Sequence, residues 1–231
     1  MELSYELTNE FASELMLIPQ KRKSRVFTKL NVYSFIKRGC DIILSSIALI
    51  LLSPVFLLIT VAIRLESEGP AFFVHKRIGK NGKTIGLYKF RSMVSNAEDL
   101  IQSFTPEQLK EFKENFKLEN DPRITKVGKF LRKTSLDELP QLLNILKGDL
   151  SIIGPRPVIE EELEKYGENK EKFLSVTPGL TGYWAANGRS ATTYEQRMSL
   201  ELYYVDNVSF SLDVKTFLKT IISVVRGEGA I

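Results

Sequence analysis

The residue types best suited to chemistry lie together between Arg132 and Gln141. Asp137 and Glu138 are adjacent carboxylates in this segment, and basic residues such as Lys129 and Arg132 precede them. Adjacent carboxylates can coordinate a hard cation such as Mg²⁺, and a carboxylate can also act as a nucleophile. The cations would balance the charge of a bound pyrophosphate. The segment therefore has the groups that phosphoryl transfer needs, although this pattern alone has low specificity.

The same segment also has a structural interpretation. Ser135 and Glu138 have the spacing of a capping box at a helix N-terminus. A helix that begins at Asp137 instead would put Pro140 at its third position, where a missing N–H costs nothing. Local chemistry favours these structural roles over a functional one, and it leaves both open.

Other kinds of active site are disfavoured by what the sequence contains. His75 is the only histidine and Cys40 the only cysteine, so a His or Cys metal cluster cannot form. His75 lies in a strand-like run and is expected to be an ordinary strand residue. The sequence has no G-x-S-x-G and no H-E-x-x-H motif. A net charge of +4 without a basic stripe argues against nucleic-acid binding.

The elements that would position the site begin with a basic arm and a long apolar run. Residues 21–38 carry seven basic and no acidic side chains, and residues 42–63 carry no charge at all. A helix over that run would reach about 33 Å, enough to cross the apolar core of a bilayer. A buried core helix is the soluble alternative, and the length of the run favours membrane contact.

Ser53-Pro54 lies in the middle of the apolar run. Proline removes one helical hydrogen bond and crowds the preceding turn. Basic residues flank the run on both sides, with Lys37 and Arg38 before it and Arg64 after it, and positive charge favours the cytoplasmic side of a membrane. We therefore expect a re-entrant membrane helix that is broken at Ser53-Pro54. A straight transmembrane helix, which would satisfy only one flank, is the alternative.

The rest of the chain predicts one α+β domain that is mainly helical. Two β-rich runs, residues 72–77 and 84–90, flank the hairpin turn signal Asn81-Gly82. Helical patterns follow at residues 96–118, 140–146, 160–173, 192–205 and 212–225. The last of these is amphipathic and basic, which suits a helix lying on a lipid surface. Residues 1–20 have the spacing of a short amphipathic helix.

A series of motifs in fixed order resembles the bacterial sugar transferase family, from about Ile36 to the C-terminus. The motifs are Lys37-Arg38, Ser53-Pro54, Tyr88-Lys89-Phe90-Arg91-Ser92-Met93, Asp121-Pro122-Arg123-Ile124-Thr125, Ser135-Leu136-Asp137-Glu138-Leu139-Pro140-Gln141, Lys147-Gly148-Asp149, Gly154-Pro155-Arg156-Pro157, Pro178-Gly179-Leu180-Thr181-Gly182 and Asn187-Gly188-Arg189. These are motifs of the monotopic phosphoglycosyl transferases, which start glycan assembly on undecaprenyl phosphate. Each motif alone has little specificity, whereas the ordered set is highly specific.

The resemblance implies a Mg²⁺-dependent enzyme at the cytoplasmic face of the bacterial cell membrane. It would transfer a sugar-1-phosphate, carrying a hexose or an N-acetylated hexose, from a UDP-sugar to undecaprenyl phosphate. UMP would be released, and a capsular, exopolysaccharide or related surface glycan would be started. The implied organisation is an amphipathic and basic arm (1–35), a re-entrant helix (36–66) and a cytosolic catalytic domain (67–231), with amphipathic helices at the membrane interface.

The resemblance also assigns roles to single residues. Asp137 would be the nucleophile that carries the phospho-sugar, and Glu138 would hold Mg²⁺, with Asp137 as a further metal ligand. The expected phosphate- or nucleotide-binding residues are Lys89, Arg91, Arg123, Arg132 and Arg156. Asp213 would be structural, in an ion pair with Arg156. The expected partners are the UDP-sugar, undecaprenyl phosphate, a bilayer with anionic lipids and a second copy of the chain; nucleic acid is not expected.

Two departures and two alternatives accompany the resemblance. The chain is expected to be of the small form, without a multi-helix membrane region, and residues 1–30 lie outside the match. Ala185 follows Trp184 where the family often has glutamine, so sugar recognition there is not assigned. A catalytically silent membrane scaffold is one alternative. The other is a metal-dependent glycosyltransferase, which would release UDP and not UMP.

Overall fold

The computed structural model of the protein describes residues 26–115, 118, 121–189 and 192–226. The chain divides into compact units at residues 1–36 and 37–231. The amphipathic helix predicted near the N-terminus lies outside the described residues. The site residues proposed from the sequence all belong to the second unit.

The first described element is a single helix, α1, Val26–Glu66. Within it, Val32–Glu66 is the one stretch among the described residues whose length and composition would allow it to cross a membrane. Its large apolar side chains are mostly exposed, with Ile50, Leu51 and Leu58 at 73%, 71% and 70%. A core helix of a soluble protein would bury such side chains. The exposure therefore argues against the soluble alternative.

Helix α1 continues through Pro54. Proline has no N–H to donate to the carbonyl four residues earlier, which is that of Ile50. Ser53 Oγ donates to this carbonyl at 2.8 Å and so supplies the missing hydrogen bond. The predicted break at Ser53-Pro54 is thus not an interruption of the helix, because the serine compensates for the proline. A re-entrant path through a membrane stays a prediction.

The remaining helices and strands are short. The strands are β1 (Phe72–Ile78), β2 (Thr84–Phe90), β3 (Ser151–Ile153) and β4 (Gly179–Thr181). The helices are α2 (Pro106–Asn115), α3 (Lys126–Thr134), α4 (Leu142–Lys147), α5 (Glu160–Glu164), α6 (Lys170–Leu174), α7 (Tyr183–Ala186), α8 (Tyr194–Asp206) and α9 (Phe210–Arg226). Short 3₁₀ helices occupy Lys80–Gly82, Asp99–Ser103, Leu136–Gln141 and Gly167–Asn169. The prediction of a mainly helical chain with a small antiparallel sheet is confirmed.

Strands β1 and β2 form the predicted antiparallel hairpin. Asn81 and Gly82 take positive φ values of 55° and 77°, which closes the turn. His75 pairs with Leu87 as an ordinary strand residue, as expected. Phe73 pairs with Lys89, so these two residues project from the same side of the hairpin.

A second sheet, in which β3 and β4 pair in parallel, was not predicted. The two segments approach so closely that a Cβ on Gly179 would lie 2.1 Å from the backbone nitrogen of Gly154. Sequence patterns describe these glycine- and proline-rich motifs as loops. Only the tertiary contact shows that glycine is needed for the pairing.

One predicted helix is divided in two. The charged run at residues 160–173 forms α5 and α6, because Gly167 takes a positive φ of 50° between them. The helix predicted at residues 96–118 is likewise a 3₁₀ turn followed by α2. The helices predicted at 192–205 and 212–225 correspond to α8 and α9.

Helix α1 is fastened to the rest of the second unit by three polar side chains near its basic end. Lys37 Nζ lies 2.7 Å from Asp213 Oδ2. Arg38 donates to two carbonyls in the last turn of α4, at 2.5 and 2.7 Å. Asp41 accepts hydrogen bonds from a hydroxyl and a backbone N–H of β3, at 3.1 and 2.9 Å. These bonds set where α1 leaves the domain that carries the candidate site.

Candidate active site

The strand β2 is joined to α4 by one buried side chain. Asn144 donates from Nδ2 to the carbonyl of Gly86 at 2.7 Å, and its Oδ1 accepts the N–H of Tyr88 at 2.9 Å. The side chain thus replaces a strand partner for two backbone groups of β2. Because α4 directly follows the Leu136–Gln141 turn, this contact brings that turn to the end of β2, where Lys89 lies.

Apolar packing also holds the same turn. Leu136 and Leu139 pack against a buried cluster that includes Phe90 of β2 and Ile59 and Ile63 of α1. These two leucines flank Asp137 and Glu138, so their burial fixes the backbone that carries both carboxylates. The site is consequently built on the packed core and not on a free loop.

Asp137, Glu138, Lys89 and Arg156 come together at this place. Lys89 Nζ lies 2.7 Å from Glu138 Oε1 and 3.9 Å from Asp137 Oδ2. Arg156 Nη2 lies 3.4 Å from the same Glu138 oxygen. Asp137 is buried, with 8% of its surface exposed. The structure thus brings together four of the residues that the resemblance had named.

Arg132 approaches the pair from helix α3. Its Nε donates to Ser92 Oγ at 2.9 Å, and its charge acts on the Asp137 carboxylate. The helix can lie this close because residue 128 is glycine: a Cβ there would stand 2.0 Å from the carbonyl oxygen of Ser92. Arg132 can therefore reach this position only because residue 128 has no side chain.

The two carboxylates have opposite electrostatic environments. Burial raises the pKa of Asp137, the neighbouring Glu138 charge raises it further, and Lys89 and Arg132 only partly oppose this. Burial would also raise the pKa of Glu138, but Arg156 and Lys89 outweigh it and lower that pKa to about 2. Glu138 is therefore a firmly held anion. Asp137 is desolvated and less closely paired, which makes it the better placed nucleophile of the two.

Neither of the predicted helix caps is present. Ser135 adopts a left-handed conformation with φ 56° and makes no side-chain cap bond. The next element begins at Leu136 and is a 3₁₀ helix, which contains Pro140. The left-handed residue turns the chain sharply after α3, so the capping geometry cannot form. The carboxylates lie in the first turn of this 3₁₀ helix, where packing and ion pairs, and not a side-chain cap, position them.

Three further residues border the site and were not assigned from the sequence. Arg77 and Gln141 line a small cavity together with Lys89, Glu138 and Arg156. The charge of Arg189 also helps to lower the pKa of Glu138, and its backbone is left-handed, with φ 42°. The position of Arg77 could have been predicted from the hairpin. Phe73 pairs with Lys89, and residues two or four apart on a strand share a face, so Arg77 lies on the same face as Lys89. Arg189 belongs to a motif that carried the resemblance but received no role.

Two predicted phosphate-binding arginines are not brought to the carboxylate pair. Arg91 is buried and donates to the carbonyl of Ser67 at 2.8 Å. Arg123 forms two bonds to Asp121, of 2.8 and 2.7 Å. Its guanidinium carbon also lies 5.1 Å from the ring centroid of Phe104 and 5.0 Å from that of Phe112. Both guanidinium groups bind to other parts of the protein, so in this structure they stabilise the fold and do not contact the carboxylate pair.

The predicted ion pair between Arg156 and Asp213 is not formed. Arg156 points to Glu138, as described above. Asp213 is buried beside Lys37 and also accepts the hydroxyl of Tyr204 at 2.6 Å. Asp213 thus has Lys37 as its cation, in place of the expected Arg156.

The oxygen donors of the site fit a hard cation. The described residues contain no cluster of three or more His, Cys, Asp or Glu side chains. Mg²⁺ does not need one, because it commonly takes one or two carboxylates and fills its other positions with water and substrate phosphate. Lys89 and Arg156 both contact Oε1 of Glu138, which leaves Oε2 available as a ligand. Asp137 and Glu138 are the residues that would hold the ion.

Comparison with known proteins finds a family model and several relatives that match the chain. The family model described as bacterial sugar transferase matches residues 32–227. The undecaprenyl-phosphate galactose phosphotransferase of Salmonella typhimurium is 41% identical over 228 residues, covering 95% of this chain and 46% of that protein. The exopolysaccharide production protein ExoY of Sinorhizobium fredii is 44% identical over 197 residues, covering 84% of this chain and 87% of that protein.

An uncharacterized sugar transferase of Haemophilus influenzae is 42% identical over 223 residues, covering 95% of this chain and 46% of that protein. The chain therefore spans about half the length of two of these relatives and most of the third. The family match includes every residue of the carboxylate and cation cluster. With its motifs in order and these residues assembled in one place, the chain belongs to the bacterial sugar transferase family.

Proposed function

We propose that the protein transfers a sugar-1-phosphate from a UDP-sugar to undecaprenyl phosphate and releases UMP. The observation that carries the proposal is the difference between two adjacent carboxylates, since Glu138 is held by two cations and Asp137 is buried but less closely paired. The name of the Salmonella relative supports the acceptor and favours galactose as the first sugar to test. The name of the Sinorhizobium relative supports a role in exopolysaccharide synthesis.

In the first step, a carboxylate oxygen of Asp137 attacks the β-phosphorus of the UDP-sugar. A bond from oxygen to phosphorus forms, the bond from the β-phosphorus to the bridging oxygen breaks, and UMP leaves with that oxygen. In the second step, a phosphate oxygen of undecaprenyl phosphate attacks the same phosphorus. Asp137 departs as a carboxylate, and the product is a polyprenyl diphosphate sugar.

The other residues of the site serve these steps through charge. Lys89 and Arg156 keep Glu138 ionised, and their charge would offset the negative charge that collects on the transferred group. The charge of Arg132 opposes the rise of the pKa of Asp137. Bound Mg²⁺ would neutralise the pyrophosphate and so make UMP a better leaving group.

The membrane is the proposed location, with the catalytic domain at its cytoplasmic face. The exposed apolar side chains of α1 support membrane contact, and α9 exposes Phe210, Leu218 and Ile222 as a second apolar surface. A re-entrant α1 would put both of its ends in the cytoplasm. Reporters fused before Lys37 and after Lys83 should then both be cytoplasmic, and opposite sides would indicate a spanning helix.

A catalytically silent scaffold is the second candidate, because α1 and α9 would suit it equally. The assembled cluster argues against it. Burying two adjacent carboxylates costs desolvation free energy, and such arrangements are typical of catalytic sites and not of surfaces that only bind. A glycosyltransferase that forms a glycosidic bond is also distinguishable, because its nucleotide product is UDP.

The experiment that tests the proposal measures the nucleotide released by purified full-length protein. The reaction contains Mg²⁺, undecaprenyl phosphate and one of several UDP-sugars, beginning with UDP-galactose. We expect UMP from at least one donor and none with Asp137→Ala. Asp206→Asn is the matched control, because it removes an exposed carboxylate that pairs with Lys172 on the protein surface. Release of UDP, or UMP from the Asp137→Ala protein, would overturn the proposal.

The covalent step has its own test. A donor labelled with ³²P at the β-phosphate, mixed with enzyme in the absence of acceptor and quenched rapidly, should label the wild-type protein. Addition of undecaprenyl phosphate before the quench should remove the label. Protein that makes UMP but never carries label would favour direct attack by the acceptor.

A further inference from the structure

One buried carboxylate has no part in the proposed reaction. Glu201 of α8 has 1% of its surface exposed. Its Oε1 accepts the backbone N–H of Arg156 at 3.0 Å. Its Oε2 has no hydrogen-bond partner among the described residues. Burying a carboxylate with one unpaired oxygen costs free energy, which suggests that its bond to the Arg156 N–H has a function.

The bond is made at a place where the backbone offers only one donor. Arg156 lies between Pro155 and Pro157, and neither proline has an N–H. The Arg156 N–H is therefore the only backbone donor in this three-residue stretch. Both prolines are buried, which restricts the access of water to this N–H.

Arg156 is also the residue whose position matters to Glu138. Its Nη2 lies 3.4 Å from Glu138 Oε1. Among the charges that lower the pKa of Glu138, that of Arg156 has the largest effect. A shift of the Arg156 backbone would lengthen this contact, because the prolines on either side limit how the chain can readjust.

We infer that Glu201 is a positioning residue, which holds the Arg156 backbone so that the guanidinium meets Glu138. The reach of this inference to catalysis rests on the proposed function. The contact itself does not, and can be tested without activity.

The surroundings indicate that the acceptor oxygen of Glu201 matters more than its charge. Arg197 is the cation whose charge acts most strongly on Glu201, and it pairs with Glu162 at 2.9 Å. Tyr166 and Tyr194 are the other titratable groups that face Glu201. Burial raises the pKa of Glu201 to about 7, against the lowering effects of the Arg156 N–H and of Arg197. At neutral pH much of the protein then has a neutral Glu201, and the bond to Arg156 N–H needs only an oxygen.

This distinction defines a matched pair of variants. Glu201→Gln keeps an oxygen for the Arg156 N–H and removes the charge. Glu201→Leu has a similar size and removes the oxygen. If Glu201 only filled the core, the leucine variant would be the better tolerated of the two, because it buries no polar group.

The structural experiment measures hydrogen exchange by mass spectrometry on a peptide that contains residues 155–157. Arg156 is the only residue of the three with an exchangeable backbone amide. We expect slow exchange in the wild type and in Glu201→Gln, and faster exchange in Glu201→Leu. Equal exchange in the two variants would overturn the inference. This measurement requires only folded protein, so a wild type that makes no UMP would count against the proposed function alone.

The kinetic experiment places Glu201→Leu in a double-mutant cycle with Arg156→Ala. We expect Glu201→Leu to lower kcat by about tenfold or more, Glu201→Gln to recover most of that loss, and the double variant to resemble Arg156→Ala. Losses that multiply in the double variant would overturn the inference, as would a glutamine variant as slow as the leucine variant. Thermal unfolding of each protein serves as the folding control, and if Glu201→Leu does not fold, Glu201→Met takes its place.

Discussion

Lys89 Nζ lies 2.7 Å from Glu138 Oε1, although 49 residues separate them in the chain. The same nitrogen is 3.9 Å from Asp137 Oδ2, so one cation serves two carboxylates unequally. Because ion pairs weaken with distance, Lys89 acts mainly on Glu138. This inequality makes the two adjacent carboxylates chemically different.

Removing the Lys89 charge should abolish most activity. In Lys89→Met we expect kcat/KM for UMP release to fall by about 100-fold or more, because a cation aimed at developing charge is lost. Lys89→Arg should retain part of the rate. The control is Lys83→Met, since Lys83 is 73% exposed and its 3.4 Å pair with Asp149 is near solvent. A Lys89→Met enzyme as active as this control would contradict the prediction.

Neutralising the two carboxylates should change stability in opposite directions. Asp137→Asn removes a charge that burial disfavours, so we expect an unchanged or higher Tm together with lost activity. Glu138→Gln removes the anion that pairs with the largely buried Lys89 and the half-buried Arg156, so its Tm should fall. Thermal unfolding of both variants in the same detergent decides this. A lower Tm in Asp137→Asn than in Glu138→Gln would refute the asymmetry.

The Glu138 contribution to stability should depend on pH. Its folded pKa is lowered from 4.5 to about 2, so its stabilising effect is complete above about pH 4.5 and is lost as pH falls towards 2. The difference in unfolding free energy between wild type and Glu138→Gln should therefore be largest at neutral pH and shrink below pH 4.5. Denaturant unfolding from pH 7 to pH 3 measures it. A difference that stays constant over this range would show that the ion pairs do not stabilise the fold.

The contact between Lys37 and Asp213 should be important for stability. Both side chains are largely buried and lie 2.7 Å apart, and removing one partner of a buried pair typically costs about 3–5 kcal/mol. We expect Asp213→Asn to lower the unfolding free energy on that scale, reduced by whatever bond the asparagine retains to Tyr204. Asp206→Asn, at an exposed pair of the same 2.7 Å length, should change it by less than about 1 kcal/mol. Similar values for the two variants would contradict this prediction.

Two glycines in helices should respond differently to alanine. At Gly128 a Cβ would stand 2.0 Å from the Ser92 carbonyl, so Gly128→Ala must push α3 away and move Arg132. We expect lower stability and lower activity from that change. At Gly39 in α1 a Cβ would have no neighbour within 4 Å, so Gly39→Ala should be neutral or stabilising by up to about 1 kcal/mol. Activity and Tm of the two variants, measured side by side, test this, and equal effects would count against the close approach at Gly128.

Local patterns were sufficient for the elements whose signals are local. The uncharged run at residues 42–63 predicted the long apolar helix, because length and polarity alone determine whether a segment suits a bilayer. Asn81-Gly82 predicted the hairpin, because few residues accept two consecutive positive φ values. The parallel pairing of β3 and β4 has no such signal, since its glycines matter only where two distant segments touch.

The sequence by itself determined which residues could do the chemistry, through ordered motifs that include Asp137, Glu138, Lys89 and Arg156. Only the tertiary structure decided which charges meet. Arg156 was expected at Asp213 and lies at Glu138, while Lys37 takes Asp213. Arg91 and Arg123 carry the same guanidinium but are engaged by other parts of the fold. Ion-pair energy depends on separation and burial, and both are set by how distant segments pack, which residue spacing along the chain does not specify.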